Sequence, residues 1–315
     1  MRLLLLIASS LLLSSGVVYA QDVEILGAAR DECVNFGGPG GAGNSSLYRV
    51  DPNTAEAQLI GDIGFKGVTG FAFLPDGRLV ASARGEGEER SAILIEINPV
   101  TGAGSLIGTI GEEVIGECAR APGLSVDPMT STLFATGDSC PESGDDFLQT
   151  VNPSTGEGTL IGTYDPFNGS GNGLAVSNNG VFFVTVCCSE EEEGFAELIT
   201  VNPISGAPTF ISKLTLEEFI FVNALAFHPL TGELFGSTIN ETESPDIRSS
   251  TLVKINTATG ATTTVGDLPD CFDGIVFRSV QTTVVPTLSE WGLIAMAGVL
   301  AIIGLLAIRR RKVTA

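Results

Sequence analysis

From residue 47 to residue 277 the chain alternates short apolar segments with clusters of Asn, Asp, Pro, Thr and Gly. LYRV (47–50), LIEI (94–97), LQTV (148–151), LITV (198–201) and LVKI (252–255) each run into a turn beginning at Asp51, Asn98, Asn152, Asn202 or Asn256. These turns read DPNT, NPVTG, NPSTG, NPISG and NTATG, at steps of 47, 54, 50 and 54 residues. A second apolar segment, centred on Ile60, Ile107, Ile161, Ile211 and Val265, keeps the same steps. Pro presets φ at the second turn position and Gly supplies the left-handed residue that closes a hairpin. The pattern predicts one hairpin repeated five times.

A second hairpin alternates with it. Its leading strands are GFAF (70–73), GLSV (123–126), GLAV (173–176), ALAF (224–227) and GIVF (274–277). Following strands are RLVASA (78–83), TLFAT (132–136), VFFVTV (181–186) and ELFGST (233–238). Four antiparallel strands in a repeat of about 50 residues predict a β-propeller blade, and the two-residue alternation excludes helical solenoids. With strands named A to D from the axis outward, complete sets occupy 68–110, 121–163, 172–213 and 222–266. The remainder is complementary: 272–279 supplies a lone A strand, and Val23–Ala28, Leu47–Val50 and Ala57–Ile63 supply B, C and D. The expected fold is all-β, a five-bladed propeller over residues 21–280 whose last blade joins both ends of the chain and leaves no open sheet edge at the closure.

The ends have a different composition. Residues 1–20 place one Arg before an apolar run and finish in Val18-Tyr19-Ala20, the pattern of a secretory signal peptide with a mature start near Gln21. At the other end Gly292 to Ile308 is uncharged and is followed by RRRK. Such a stretch spans about 26 Å as a helix, enough for a transmembrane helix at 292–308, with 309–315 as a basic cytoplasmic tail. Residues 281–291 form a linker containing Val285-Pro286-Thr287-Leu288-Ser289-Glu290-Trp291-Gly292. This octapeptide, the apolar run and the arginine-rich tail together resemble the IPTL-CTERM sorting tag of Gram-negative surface proteins, with Val285 where Ile is usual. The resemblance implies that Val285, Pro286, Thr287, Leu288, Trp291 and Gly292 are recognised by an exosortase-like membrane protease. That enzyme would cleave near the signature and release a transiently anchored body to the cell surface or exterior; permanent anchoring by an uncleaved helix is the competing outcome.

Charge narrows the choice of partner. Residues 21–285 hold 11 of the 16 basic and 36 of the 37 acidic side chains, which argues against nucleic acid. Sixteen of those carboxylates fall in the B–C connections, Asp145, Asp146 and Glu190, Glu191, Glu192 and Glu193 among them. That face is either a Ca²⁺ site, a surface for a cationic partner, or a solvated rim. All six cysteines map to the same end of the ring, in B–C and D–A connections. An exported chain with an even count favours disulfides, and the repeat positions predict Cys33–Cys271 and Cys118–Cys140. Cys187–Cys188 are left as a vicinal pair or a metal-binding pair.

Catalytic constellations are sparse. His228, the only histidine, falls in an A–B turn, and no G-x-S-x-G accompanies it. Small neutral residues start the A strands (Gly70, Gly123, Gly173, Ala224, Gly274), with Asp273 beside the last. The expected function is therefore a non-enzymatic binding or structural protein of the surface or matrix, without a cofactor other than calcium. The alternative is an exported carboxylate-based hydrolase or lyase working in the central channel, as in five-bladed propellers that cleave glycans.

Overall fold

Each Asx turn folds on its own side chain. The Oδ1 atoms of Asn98, Asn152, Asn202 and Asn256 accept from the amide two residues on at 2.8–2.9 Å, and Asp51 does the same at 2.7 Å. The left-handed residue that ends the turn is Gly102, Gly156, Gly206 or Gly260, but Ala55, at φ 61°, in the turn after Asp51. These turns set the reversals, and the apolar runs between them pair as strands.

A computed structural model describes residues 21–30, 44–85, 91–111, 121–138, 146–164, 173–187, 195–216, 220–240, 249–281 and 298–302. Five four-stranded sheets form. Blade 1 is β4 (Phe71–Phe73), β5 (Leu79–Arg84), β6 (Ala92–Ile97) and β7 (Gly104–Thr109). Blade 2 is β8 (Leu124–Val126), β9 (Leu133–Asp138), β10 (Asp146–Val151) and β11 (Gly158–Thr163). Blade 3 is β12 (Gly173–Val176), β13 (Phe182–Cys187), β14 (Ala196–Val201) and β15 (Pro208–Lys213). Blade 4 is β16 (Ile220–Phe227), β17 (Leu234–Asn240), β18 (Ser250–Ile255) and β19 (Thr262–Leu268). Blade 5 takes β20 (Cys271–Gln281) from the C-terminal side and β1 (Gln21–Arg30), β2 (Ser45–Val50) and β3 (Ala57–Asp62) from the N-terminal side, in the order β20-β1-β2-β3. The five-bladed propeller with a shared last blade is therefore the observed fold.

Every C–D pair carries a register shift at the same place, after Leu47, Leu94, Leu148, Leu198 and Leu252. A bulge adds twist, and here it repeats in all five outer edges. Beyond the bulge, Gly61, Gly108, Gly162 and Gly266 lie against the turn backbone of the next blade at Thr101, Thr155, Ser205 and Thr54, where an added Cβ would collide with a carbonyl in the first three and crowd one in the fourth. The core consists of five apolar clusters, each shared by two neighbouring blades, from the blade 4–5 set around Phe235 and Phe272 to the blade 3–4 set around Leu198 and Leu234. Both faces of each sheet are thus buried, as a propeller requires.

Residues Val23–Ser279 form one compact unit, and Met1–Asp22 with Val280–Ala315 are grouped as another. Of the latter, residues 298–302 are helical; among the described residues no helix is long and apolar enough to cross a membrane. The expected signal peptide, the sorting signature and most of 292–308 lie outside the described residues. Four loop assignments are corrected. Asp138 ends β9, Asp146 opens β10 and is buried, and Cys187 ends β13 with its backbone opposite Ala196. Strand pairing runs further towards that end of the blade than the acidic and cysteine-containing sequence suggested. Cys271 likewise opens β20 instead of lying in a connection.

Candidate functional site: the central channel

The five inner strands line the axis, and neighbouring strands touch at small residues on or just before them. An added Cβ at Gly70 would strike the backbone at Leu124; at Gly123, that at Leu174; at Gly173, that at Leu225; at Gly274, that at Thr69. At this level a hydroxyl on the B strand ties one blade to the next. Ser82 Oγ accepts from the Gly70 amide at 2.9 Å and donates to the Ala121 carbonyl at 2.5 Å. Thr185 accepts from Gly173 and donates to Val222, both at 3.0 Å, and Ser237 donates to Phe272 at 2.9 Å. Thr136 accepts from Gly123 at 2.8 Å. In blade 5 the register-equivalent residue is Ala28, opposite Leu47 as Ser82 is opposite Leu94.

Just before the small residues stand Thr69, Pro122, Asn223 and Asp273. Asp273 is almost fully buried. Its Oδ1 accepts from Asn223 Nδ2 at 3.0 Å and from Arg30 Nη2 at 3.1 Å, and its Oδ2 is ion-paired with Arg30 Nε. It is the only acidic side chain in the five inner strands. Acid–base cleavage of a glycan uses two carboxylates placed across the bond; here one is present, and its oxygens are engaged by a cation and an amide. The sequence reading noted Asp273 but missed Arg30 and Asn223. The signal for Asn223 was available, since it holds the same offset before Ala224 as Asp273 before Gly274.

Below the small residues the channel widens into a cavity of about 200 Å³. Its wall comes from all five inner strands and is dominated by Phe71, Phe73, Val126, Val176, Phe227 and Phe277; Ser125 and Asn178 are its polar members, and no titratable side chain lines it. Ser125 Oγ is already used, accepting from the Val176 amide at 3.2 Å.

The remaining sequence candidates sit elsewhere. His228 is a turn residue, as expected: Nδ1 accepts from the Leu230 and Thr231 amides at 3.2 and 3.1 Å, the role Asp127 plays towards Met129. Burial lowers its pKa. Glu197 of β14 is raised by burial. Tyr164, wholly buried between blades 2 and 3 without a partner for its hydroxyl, is raised by burial and then by the charge of Asp146. Of the proposed calcium ligands, Asp146 is withdrawn from the loop face by its burial in β10; Asp145, Glu190, Glu191, Glu192 and Glu193 lie outside the described residues. Among the described residues no group of three or more His, Cys, Asp or Glu could hold a metal. Cys271 is fully buried and disulfide-bonded, while Cys33, Cys118, Cys140 and Cys188 lie outside the described residues.

The IPTL-CTERM motif matches residues 283–311, a tag that implies an exported, surface-sorted bacterial protein. No curated protein matches the chain. Among solved structures, a GH43 β-1,3-galactosidase is similar with a TM-score of 0.56 and 12% identity, over 79% of this chain and 57% of that one. A puromycin hydrolase matches at TM-score 0.39 and 19% identity over 71% of this chain and 33% of that one. A putative 6-phosphogluconolactonase from Bacteroides uniformis matches at 0.40 and 12% over 78% and 82%. The chain therefore spans a third of the hydrolase and little over half of the galactosidase. The likeness to the galactosidase shows a shared fold alone.

Proposed function

We propose that the chain is a β-propeller sorted to the surface or exterior of a Gram-negative bacterium, where it serves as a non-enzymatic binding or structural protein. In this reading residues 1–20 direct export, 292–308 anchor the chain transiently, and an exosortase-like protease recognises Val285 to Gly292. Cys33–Cys271 and Cys118–Cys140 secure the loop face, with Cys187–Cys188 as a vicinal pair. One observation carries the binding role: the channel is walled by uncharged side chains, and its single inner-strand carboxylate, Asp273, is already held by Arg30 and Asn223. A channel of that kind is suited to holding a molecule and lacks a second acid to cleave one.

Mass spectrometry of the protein recovered from the cell surface tests this. The expected mature form begins near Gln21, ends near the signature and contains the three cystines. A Trp291→Ala variant should stay in the membrane fraction at full length. Surface protein that retains Gly292 to Ala315 would replace cleavage by permanent anchoring. Glycan cleavage that disappears in Asp273→Asn would replace the binding role by the hydrolase.

A further inference from the structure

At the level of Gly70, Gly123, Gly173 and Gly274 the inner strands meet backbone to backbone, and the blade-to-blade hydroxyl bonds hold them there. None of those glycines lines the cavity; its wall begins further along each strand and continues to the A–B turns through Pro128 and Pro229. Beside these prolines stand Met129 and Leu230, which are 70% and 56% exposed. Apolar side chains therefore run from the solvent-exposed rim along the wall, with Ser125 and Asn178 among them and no titratable side chain. Strands of a solvated channel would carry polar residues there; Phe73, Val126 and Phe227 remain partly exposed on its wall instead. An apolar cavity of about 150 Å³ lined by Leu, Ile and Phe stays dry and takes up benzene, so one of about 200 Å³ fits a slightly larger ring system. Four phenylalanines on the wall, Phe71, Phe73, Phe227 and Phe277, favour an aromatic guest over a linear chain.

We propose that this funnel is a binding site for a free, uncharged molecule of one or two aromatic rings. It deepens the binding reading given above and names the ligand class for it. The site takes the guest chiefly by desolvation. Charged analogues are rejected, because no counter-charge stands among the residues that line the wall to replace their water.

Indole is the probe. Saturation-transfer NMR is run on the full chain in lipid nanodiscs, with empty nanodiscs as the blank for partitioning. Wild type should transfer magnetisation to indole well above the blank, and indole-3-acetate should show none. Val126→Phe and Val176→Phe, which fill the funnel, should each weaken the signal roughly tenfold, the ratio expected from losing a small apolar contact set. Leu106→Ser, on an exposed outer strand, should leave it unchanged, and unaltered circular dichroism spectra establish that each variant is folded. Transfer equal in wild type and both filled variants, or none above the blank, overturns the proposal. The outcome is independent of sorting: a chain that binds indole but never reaches the surface refutes the localisation and leaves the site standing.

Discussion

Blades 1 to 4 are each folded from one contiguous stretch, whereas blade 5 takes its inner strand from residues 271–281 and its other three from residues 21–62. The side-chain bonds differ accordingly. Among the described residues of the contiguous blades, Arg78 pairs with Asp76 and Glu96, and Lys254 with Glu233, each within one blade and at 33–54% side-chain exposure. In blade 5 they join the two ends and are largely sequestered. Glu24 of β1 holds Arg278 of β20 as well as Arg49, and Arg30 of β1 holds Asp273, at 3–22% exposure for all but Arg49. Tyr48 of β2 adds a 2.7 Å bond to Asp270, and Cys271 is disulfide-bonded. Closing a loop of about 250 residues in place of one of about 10 costs roughly 3 kcal/mol more chain entropy. Hairpin blades do not meet that cost. The bonds concentrated where the ends join are of the size needed to offset it, and they are low in exposure, which is where a charge pair matters.

The largest expected effect tests that contrast directly. Asp273→Ala leaves Arg30 with an unbalanced charge in a largely buried place and lowers the unfolding free energy by about 3 kcal/mol. Asp76→Asn removes an exposed pair of blade 1, keeps an acceptor for the Arg78 amide, and leaves the urea midpoint where it was. Urea denaturation of both, side by side, reads the difference. Equal shifts would mean that the shared blade is not held differently from the others.

A smaller effect comes from the hydroxyls that tie blades together. Ser82→Ala strands the Gly70 amide and deprives the Ala121 carbonyl of its shortest donor, at a cost of about 1.5 kcal/mol. Blade 5 has Ala28 at the same register position, so the step from blade 5 to blade 1 lacks this tie and relies on Ser45 Oγ, which accepts from the Val68 amide at 3.1 Å. Ala28→Ser places a donor at the position equivalent to Ser82 and should raise the melting temperature, in line with a gain of about 0.5 kcal/mol. A loss of stability in Ala28→Ser would show that Ser45 already completes the junction.

The hairpins, the blade count and the closure by Val23–Ala28 were readable because turn chemistry and two-residue alternation are local properties. The Arg30–Asp273–Asn223 cluster was not, since its members lie 50 and 243 residues apart and meet only when the ring closes. Asp146 misled for a different reason: an acid in an acid-rich stretch reads as loop, yet here it starts a buried strand. Gln149 is similar. It stands where blades 1 and 3 carry Ile95 and Ile199, fully buried, with neither end of its amide hydrogen-bonded. Such positions break the pattern that made the other blades legible. The apolar channel wall was foreshadowed by GFAF, GLSV and ALAF, but the contact of neighbouring inner strands at their glycines depends on how closely the blades approach, and spacing along one chain does not report that.

The smallest effect separates a purely local bond from the long-range ones. His228 Nδ1 caps an A–B turn by accepting two amides, which only the neutral ring can do. Burial lowers its pKa, with Glu233 opposing the shift and Lys254 adding to it. The unfolded chain therefore takes up the proton first. The stability tied to His228 is complete above the ordinary value of 6.5 and is lost as pH falls through the lower native one. Glu197 acts with the opposite sign, because burial raises its carboxyl and protonation then favours the native state. His228→Asn keeps an acceptor in the turn, as Asn202 does elsewhere, without a titrating group. Between pH 7.5 and pH 5 the wild-type urea midpoint should fall relative to that of His228→Asn by a fraction of a kcal/mol, with the Glu197 contribution common to both. Parallel pH profiles would mean that the turn holds its shape without the imidazole, and that this local bond, unlike those of blade 5, contributes nothing measurable.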